Sequence, residues 1–324
     1  MTDLLSVEGL SVEFRTRGGT ARVLDRIGFA IGRGQTLCVV GESGCGKSVT
    51  ALAILRLIAS PPGRISAGRV MFDGQDLLAL DENAMRRVRG NRISMIFQEP
   101  MTSLNPAFTV GDQIAESLRL HRGLSRREAL ERAADMLDAV GIPDPARRVH
   151  EYPHQFSGGM RQRVMIAMAL ACQPALLVAD EPTTALDVTV QAQIFDLIAE
   201  QRAKTGTAVM LITHDMGAVA EMADRVAVMY AGHVVEQGTA AEVLHAPLHP
   251  YTRGLIACAP GARRVAPRQM LEEIPGSVPS LLERGPGCLF AERCAQVQPR
   301  CRTERPPHTA LPDGRTVMCW LHAS

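Results

Sequence analysis

A glycine-rich segment at residues 41–48, GESGCGKS, has the residue types and spacing that bind a nucleoside triphosphate. Its glycines let backbone N–H groups approach the phosphates, Lys47 brings a positive charge, and Ser48 offers a hydroxyl to Mg²⁺. An apolar run precedes the segment and a helical pattern follows it, so a helix N-terminus adds further positive charge. The expected nucleotide contacts are Gly41, Glu42, Ser43, Gly44, Cys45, Gly46, Lys47, Ser48 and Val49.

An acidic pair, Asp180 and Glu181, stands at the end of the apolar run LLVAD. In phosphoryl transfer to water, one such carboxylate holds Mg²⁺ while its neighbour orients and deprotonates the attacking water. His214 follows the next apolar run, AVMLIT, where it could sense a γ-phosphate. Alone, an acidic pair at this place is more often a solvated loop. The phosphate loop in the same chain favours the catalytic interpretation.

The segment FSGGMRQR at residues 156–163 predicts a second anion-binding site. Ser157, Gly158 and Gly159 open a helical pattern, and the N–H groups of a first helical turn have no partner within the helix. An ordinary N-cap followed by flexible glycines is the alternative, and this segment alone does not exclude it.

The elements that must position these residues indicate an α/β fold. The first residues alternate apolar and polar types around glycine-rich turns, as in a small antiparallel sheet. The runs TLCVV, ALLVAD and AVMLIT are continuously apolar, which is typical of strands buried on both faces of a parallel sheet. Helical patterns lie between them, including residues 119–140 and a segment that Gly206 ends. The last strand pair is expected to turn at Ala231 and Gly232.

Composition is that of an ordinary globular chain. The sequence has 324 residues, 46% hydrophobic and 21% charged, and its net charge of +1 gives no basic excess for general nucleic-acid binding. The longest apolar run, VMIAMALAC, is far short of the roughly 20 residues that span a bilayer. The N-terminus carries acidic residues and no basic segment before an apolar core. We therefore expect no secretory signal and a cytosolic chain.

Taken in order, the phosphate loop, IFQEP, FSGGM, LLVADEP, TALD and THD resemble the motifs of ATP-binding cassette (ABC) ATPases over residues 4–240. The resemblance implies a P-loop NTPase core with a parallel sheet, an N-terminal antiparallel β subdomain and an inserted helical subdomain. It also implies ATP and Mg²⁺ as cofactors and hydrolysis of ATP to ADP and phosphate. A kinase or switch GTPase would not explain FSGGM.

By position in these motifs, the resemblance gives each polar residue a role. Glu181 would be the general base and His214 the γ-phosphate switch, and both would act with Lys47 in catalysis. Phe14 would stack on adenine, and Gln98 would link the nucleotide to membrane subunits. The implied Mg²⁺ ligands are Ser48, Gln98 and Asp180. The implied ATP contacts from the glycine-serine helix are Ser157, Gly158, Gly159 and Met160.

In this family the serine-glycine helix of one cassette completes the ATP site of another. One phosphate loop and one such helix in this chain therefore imply a partner cassette, with Asp187 at the seam between the two. The segment departs from the commoner family pattern at Phe156 and Met160, where leucine and glutamine are usual. Its serine and both glycines are intact, so we expect an active site.

Longer segments resemble the dipeptide/oligopeptide (peptide/nickel) permease family and are most like its dipeptide-type, or D-type, ATPase subunit. They include QEPMTSLNP, YPHQFSGGMRQRVMIAMALA, ADEPTTALDVTVQAQI and HPYTRGLIACAPG. The resemblance implies an importer ATPase that couples ATP hydrolysis to uptake of di- or oligopeptides. An importer of nickel or another small solute is the alternative. A soluble ABC ATPase acting on nucleic acid or ribosomes is disfavoured by the single cassette and the net charge.

The implied partners are a second ABC ATPase subunit, two transmembrane permease subunits and, indirectly, an extracytoplasmic substrate-binding protein. The second ATPase is expected to be a non-identical paralogue, with a homodimer left open. The chain would then lie peripherally on the cytoplasmic face of the inner membrane. No nucleic-acid partner is expected.

After about position 244, the sequence becomes rich in proline, arginine and cysteine. We therefore expect a nucleotide-binding domain at residues 1–243, with the helical subdomain at about 99–165, and a small irregular C-terminal domain at 244–324. Elsewhere, Cys38, Cys172 and Cys258 are expected to be core residues. Cys45 lies inside the phosphate loop, so its alkylation is expected to block nucleotide binding, and ATP to protect it.

Four cysteines of the C-terminal domain follow the spacing C-x5-C-x6-C-x17-C, at Cys288, Cys294, Cys301 and Cys319. A disulfide framework is disfavoured in a cytosolic chain. A structural zinc site usually contains a C-x2-4-C knuckle, which this tail lacks. Four widely spaced thiolates can instead hold a [4Fe–4S] cluster, and the resemblance of GCLFAERCAQVQPRC to the dipeptide-type tail favours the same answer. Zinc and unligated thiols remain open.

Overall fold

The protein is described from a computed structural model, which covers residues 3–98, 103–183, 187–258, 274–280, 282 and 284–323. The chain divides into two compact units. The first comprises residues 1–31, 36–78 and 213–324, and the second comprises residues 32–35 and 79–212. Both units combine sheet and helix, and the predicted α/β class is confirmed. The predicted domain boundaries stay a prediction. The described part of the cysteine-rich tail belongs to the unit that carries the phosphate loop.

The strands are β1 (Asp3–Thr16), β2 (Gly19–Gly32), β3 (Thr36–Val40), β4 (Gly63–Phe72), β5 (Gln75–Asp76), β6 (Ile93–Ile96), β7 (Leu176–Asp180), β8 (Ala208–Thr213), β9 (Arg225–Tyr230), β10 (His233–Thr239), β11 (Thr309–Ala310) and β12 (Thr316–Val317). The α-helices are α1 (Lys47–Ile54), α2 (Glu82–Val88), α3 (Val110–Arg122), α4 (Arg126–Ala139), α5 (Pro145–Arg148), α6 (Gly158–Leu170), α7 (Val188–Thr205), α8 (Met216–Met222), α9 (Ala240–His245), α10 (Pro250–Ala257) and α11 (Pro299–Thr303). Short 3-10 helices span Pro153–Gln155 and Ala291–Arg293.

The first unit contains the N-terminal antiparallel sheet that the alternating sequence predicts. Its strands lie in the order β2-β1-β4-β5, and β1 pairs antiparallel with β4. Leu5, Val7 and Val12 are almost fully buried, since one face of the sheet packs against the core.

A second sheet in the same unit positions the phosphate loop. Within this unit, the strands of that sheet lie in the order β11-β12-β10-β9-β3, with β3 parallel to β9. Every residue of β3 is buried, as its continuous apolar run predicts. The strands β9 and β10 form a hairpin through Ala231 (φ 44°) and Gly232 (φ 79°), and this confirms the predicted turn.

The second unit holds the parallel strands β6, β7 and β8 in that order. All residues of β7 and β8 are buried, which confirms the interpretation of their apolar runs. The helical pattern at residues 119–140 is divided, because α3 ends where Gly123 adopts φ 68°. Ser125 then begins α4 with a capping box, in which Ser125 and Glu128 each bond the other's backbone.

Candidate nucleotide-binding site

The phosphate loop leaves β3 at Gly41 and enters α1 at Lys47. A Cβ atom at Gly41 would lie 2.2 Å from the carbonyl oxygen of Met229, and one at Gly46 would lie 2.6 Å from Leu24. Both glycines also have positive φ angles, 153° and 109°. At Gly41 a side chain would collide with the backbone of β9, and at Gly46 the left-handed backbone conformation favours glycine.

The ammonium group of Lys47 is folded over the loop. Its Nζ donates to the carbonyl oxygens of Gly41 at 2.8 Å and Glu42 at 3.2 Å, and the residue is only 6% exposed. The start of α1 has no acidic residue in its first turn and no side-chain cap. Because no acidic side chain offsets it, the positive end of the helix dipole acts together with the charge of Lys47 to favour an anion at this end of the helix.

Cys45 is buried beneath the loop rather than exposed on it. The thiol is 1% exposed, and burial raises its pKa. Its backbone oxygen accepts from Gly232 N–H at 2.9 Å, which ties the loop to the β9–β10 turn. The expected core positions of Cys38 and Cys172 are confirmed, while Cys258 is half-buried.

Phe14 and His214 belong to the same unit as the loop. Phe14 is half-buried near the end of β1 and pairs with Gly63 of β4, where a Cβ would lie 2.8 Å from the Phe14 ring. His214 is exposed directly after β8, and the next residue, Asp215, begins α8 by accepting from Gly217 N–H at 2.8 Å. The roles expected for Phe14 and His214 stay predictions.

The carboxylates of the second unit stand at the end of β7. Asp180 is its last residue and is 4% exposed. Glu181 adopts φ 44°, which is a strained angle for a residue with a side chain. Its N–H donates to the carbonyl oxygen of Ile212 at 2.9 Å. Its Oε2 accepts from Nε2 of Gln98 at 3.0 Å. The structure therefore brings together two of the predicted site residues, Gln98 and Glu181, although 83 positions separate them.

The structure confirms that the segment FSGGM opens a helix, α6, while its role in anion binding stays a prediction. Ser157 begins α6 by accepting from Met160 N–H at 3.3 Å. Ser157 and Gly158 are exposed, and a Cβ at Gly158 would meet no atom within 4 Å. Phe156, which stands where leucine is usual, is 3% exposed, so this difference replaces one buried apolar side chain with another. Asp187 is exposed and begins α7 by accepting from Val190 N–H at 2.9 Å.

Comparison with known proteins decides the family. The ABC transporter family model matches residues 24–184, and the model of the oligopeptide/dipeptide transporter C-terminal region matches residues 235–301. The dipeptide transport ATP-binding protein DppD of Bacillus subtilis is 50% identical, over 99% of this chain and 95% of its own length. The protein of the same name from Escherichia coli is 50% identical over 98% of this chain and 96% of its own length. The chain belongs to the ABC transporter ATP-binding proteins.

A solved structure supports the fold of this ABC ATPase. A dimeric post-hydrolysis state of the ATP-binding cassette MJ0796, bound to ADP and Pi, has a TM-score of 0.66 at 26% identity, covering 73% of this chain and 98% of that one. Hydrolysis of ATP coupled to transport is the activity of the family to which the chain belongs. None of the helices in the described ranges is long and apolar enough to cross a bilayer.

The four cysteines of the tail of this ABC ATPase lie close enough together for the charge of each of the other three to affect the pKa of Cys288. Cys288 N–H donates to Cys301 O at 2.7 Å, and Gln298 N–H donates to Cys301 Sγ at 3.5 Å. Burial, with a smaller contribution from the neighbouring thiols of Cys301, Cys319 and Cys294, raises the pKa of Cys288 to about 11. Burial likewise raises the pKa of Cys294 and Cys319.

The predicted metal centre at these thiols is not confirmed. Among the residues with described positions, no group of three or more His, Cys, Asp or Glu side chains is placed to hold a metal ion. A tetrahedral zinc ion needs four sulfurs about 2.3 Å from the metal, and the thiols Cys288, Cys294, Cys301 and Cys319 do not meet that demand. The four tail cysteines carry free thiols.

Two residues that contact the phosphate loop were missed by the motif analysis. Arg293 forms a bidentate ion pair with Glu42, and the hydroxyl of Tyr251 accepts from Glu42 N–H at 2.8 Å. Tyr251 lies in the HPYT segment, whose resemblance to the permease family does not indicate a contact with the loop. A tyrosine behind the helix-initiating Pro250 in an otherwise irregular tail is the signal that could have indicated a buried contact.

Proposed function

We propose that this ABC ATPase drives import of di- or oligopeptides through separate membrane subunits. The main observation that supports this proposal is the similarity of nearly the whole chain to relatives named as dipeptide transport ATP-binding proteins. The match of residues 235–301 to an oligopeptide/dipeptide transporter region supports the same cargo class. Import of nickel or another small solute by the same ATPase type is the alternative.

In the proposed reaction, the chain's own side chains hold the phosphates and activate water. Lys47 would bind the β- and γ-phosphates, Glu181 would accept the proton of the attacking water, and His214 would contact the γ-phosphate. The bond from Gln98 holds the Glu181 carboxylate in one orientation, as a general base requires. Phe14 would stack on adenine.

Mg²⁺ fits the chemistry of the candidate ligands. A hydroxyl, an amide oxygen and a buried carboxylate are oxygen ligands of the kind that this hard cation prefers. When bound, the ion neutralises charge on the phosphates. The residues that would hold it are Ser48, Gln98 and Asp180.

The active form is proposed to contain a second ABC ATPase subunit, a non-identical paralogue. The exposed N-terminus of α6, with open space at Gly158, supports a contact with phosphates held by another chain. Two permease subunits would complete the complex, with an extracytoplasmic binding protein acting indirectly. The chain would be peripheral on the cytoplasmic face of the inner membrane.

Purification and reconstitution test the function. The tagged chain is isolated from its own cells in mild detergent, and its partners are identified by mass spectrometry. The complex is then placed in proteoliposomes and assayed for ATP-dependent uptake of labelled dipeptides and of ⁶³Ni²⁺, with Glu181→Gln as the inactive control. Dipeptide uptake supports the proposal. Uptake of nickel alone would show that the proposed cargo is wrong. Recovery of ribosomes or nucleic acid instead of membrane subunits would show that the proposed role in transport is wrong.

We also propose that Cys288, Cys294, Cys301 and Cys319 ligate a [4Fe–4S] cluster, which the tail's resemblance to the dipeptide-type subunit supports. The four thiols would have to move from their positions in this structure, where they are not placed to hold a metal ion. The test is anaerobic purification followed by iron, sulfide and zinc analysis. Four irons and four sulfides per chain, lost in Cys301→Ser, would support the cluster. A colourless protein with stoichiometric zinc, or with no metal, would contradict it.

A further inference from the structure

We propose that Arg293 is a positioning residue for ATP binding, which acts from the C-terminal tail through Glu42 on Lys47. Arg293 and Glu42 lie 251 positions apart, and both belong to the unit that carries the phosphate loop. The inference rests on the proposed role of that loop in binding ATP. It adds a part of the site that no phosphate-loop motif contains.

The ion pair has the geometry of a strong, directional contact. Arg293 Nη1 donates to Glu42 Oε2 at 2.7 Å, and Nη2 donates to Glu42 Oε1 at 2.9 Å. Two parallel N–H bonds to one carboxylate fix both its position and its plane. The Arg293 side chain is only 5% exposed and that of Glu42 is 27% exposed, so water screens this pair less than it screens a surface ion pair.

The rest of the tail holds the Arg293 guanidinium group in place. Its Nε donates to Pro275 O at 2.8 Å, and its Nη2 donates to Ile274 O at 3.1 Å. The group also lies 5.8 Å from the ring centroids of both Tyr230 and Phe290. A side chain fixed on so many sides loses little further entropy when it binds Glu42, so it can act as a rigid support.

Glu42 is the link between this support and the catalytic lysine. Its carboxylate is bound by Arg293, its N–H by the hydroxyl of Tyr251 at 2.8 Å, and its carbonyl oxygen by Lys47 Nζ at 3.2 Å. Arg293 holds the side chain of Glu42 and Tyr251 holds its N–H, so the two contacts restrain the backbone of this residue and with it the direction of its carbonyl group. Arg293 therefore helps to set the position of the Lys47 ammonium group.

Charge gives a second reason for the pair. Glu42 is the second residue of the loop, and its carboxylate would repel a triphosphate bound there. The Arg293 guanidinium compensates this charge. Loss of Arg293 should then harm ATP binding more when Glu42 is ionisable than when it is replaced by glutamine.

The test is a double-mutant cycle on ATP affinity in the purified complex. Arg293→Met should raise the Kd and KM for ATP about tenfold, while kcat at saturating ATP changes less than twofold. Arg293→Lys, which keeps the charge but not the bidentate geometry, should recover part of the affinity. In a Glu42→Gln background, Arg293→Met should weaken binding by less than threefold. Arg302→Met, which removes the exposed ion pair to Glu292, is the matched control and should bind ATP as the wild type does.

Hydrogen exchange gives a readout independent of turnover. The amides of Arg293 and Cys294 donate to Phe290 O and Ala291 O, so their exchange reports opening of this turn. Because coupling is reciprocal, ATP should slow that exchange in the wild type and not in Arg293→Met.

The outcomes separate the two proposals. If Arg293→Met binds ATP like the wild type, or if its effect is equal in both Glu42 backgrounds, the positioning role is wrong. If the wild-type protein itself does not bind ATP, the proposed function fails first. Should Arg293→Met not fold, Arg293→Lys and Glu42→Gln carry the test, since equal ATP affinity across wild type and both variants would overturn it.

Discussion

Gln98 donates a hydrogen bond from Nε2 to Oε2 of Glu181 at 3.0 Å, and Glu181 holds a left-handed backbone conformation with φ 44°. The strained backbone belongs to the residue directly after β7, and Gln98 restrains the carboxylate of that residue. One residue proposed to sense the membrane subunits thus directly contacts the proposed general base. Movement of Gln98 would alter the orientation of the base without displacing the buried strand.

Replacement of Glu181 by glutamine should separate binding from hydrolysis. The side chains are similar in shape, but the amide cannot accept the proton of the attacking water. We expect unchanged ATP affinity and at least about a 10²-fold loss of kcat, with the cassette pair trapped in its ATP-bound form. Single-turnover hydrolysis of γ-³²P-ATP by the complex checks this. Glu200→Gln, at the exposed surface of α7, is the control, with wild-type turnover expected.

The comparison must be made in a complex whose partner cassette is already inactive, because a second active site would mask the loss. Turnover by Glu181→Gln at the wild-type rate in that background would show that another group is the base.

The phosphate loop and the buried strands could be predicted because each is a local pattern. The glycine spacing is recognisable without the rest of the chain, and so are apolar runs of five or six residues, which form the buried strands β3, β7 and β8. The break at Gly123 had signals too, a glycine and a Ser-x-x-Glu capping box, but the periodicity on both sides of it obscured them.

Contacts between distant parts of the chain could not be predicted. Arg293 stands in a tail with few apolar residues, and nothing in its neighbours indicates a partner 251 positions away. The cysteine spacing likewise does not fix distances between sulfur atoms. Those distances depend on the turns around residues 288–301, whose geometry the sequence pattern does not encode.

Gly158→Ala should test whether α6 serves another subunit's nucleotide. Within this chain a Cβ at Gly158 meets no atom within 4 Å, so the variant should fold and be as stable as the wild type or more stable by up to about 1 kcal/mol. The isolated chain should bind ATP normally. The assembled complex should lose at least tenfold in ATPase activity if the added methyl group blocks the approach of the partner's phosphates. Thermal unfolding, nucleotide titration and ATPase assays of one preparation measure all three, and full activity of the complex would contradict the contact.

Cys45 should react slowly with alkylating agents, which changes the sequence-based expectation for this thiol. It is 1% exposed and burial raises its pKa, so little of the reactive thiolate is present at neutral pH. Iodoacetamide labelling followed by mass spectrometry should find Cys45 labelled only after denaturation, with or without ATP. Cys45→Ser should bind ATP within about twofold of the wild type. Rapid native labelling that ATP prevents would instead support an open loop.

Acid should destabilise the unit that holds the loop through His249. The residue is 2% exposed, its Nδ1 accepts from Tyr251 N–H at 3.0 Å, and burial lowers its pKa to about 3. An unfolded histidine takes up a proton near pH 6.5, whereas folded His249 does not. The unfolded state therefore binds more protons below about pH 6.5, and stability falls as the pH decreases from there towards 3. His233, whose pKa burial also lowers to about 3, adds a contribution of the same sign.

His249→Asn isolates one of these contributions, because asparagine can still accept from Tyr251 N–H at the start of α10 and does not titrate. The free energy of unfolding, measured by urea denaturation at several pH values between 4 and 7.5, should fall less steeply in this variant. The difference in slope should be at most about 1.4 kcal/mol per pH unit, which is the limit for one proton. His245→Asn, at an exposed histidine, should keep the wild-type slope. If both variants follow the wild-type curve, acid destabilisation must come from other groups, and the neutral His249 that caps α10 beside the phosphate loop would not be its cause.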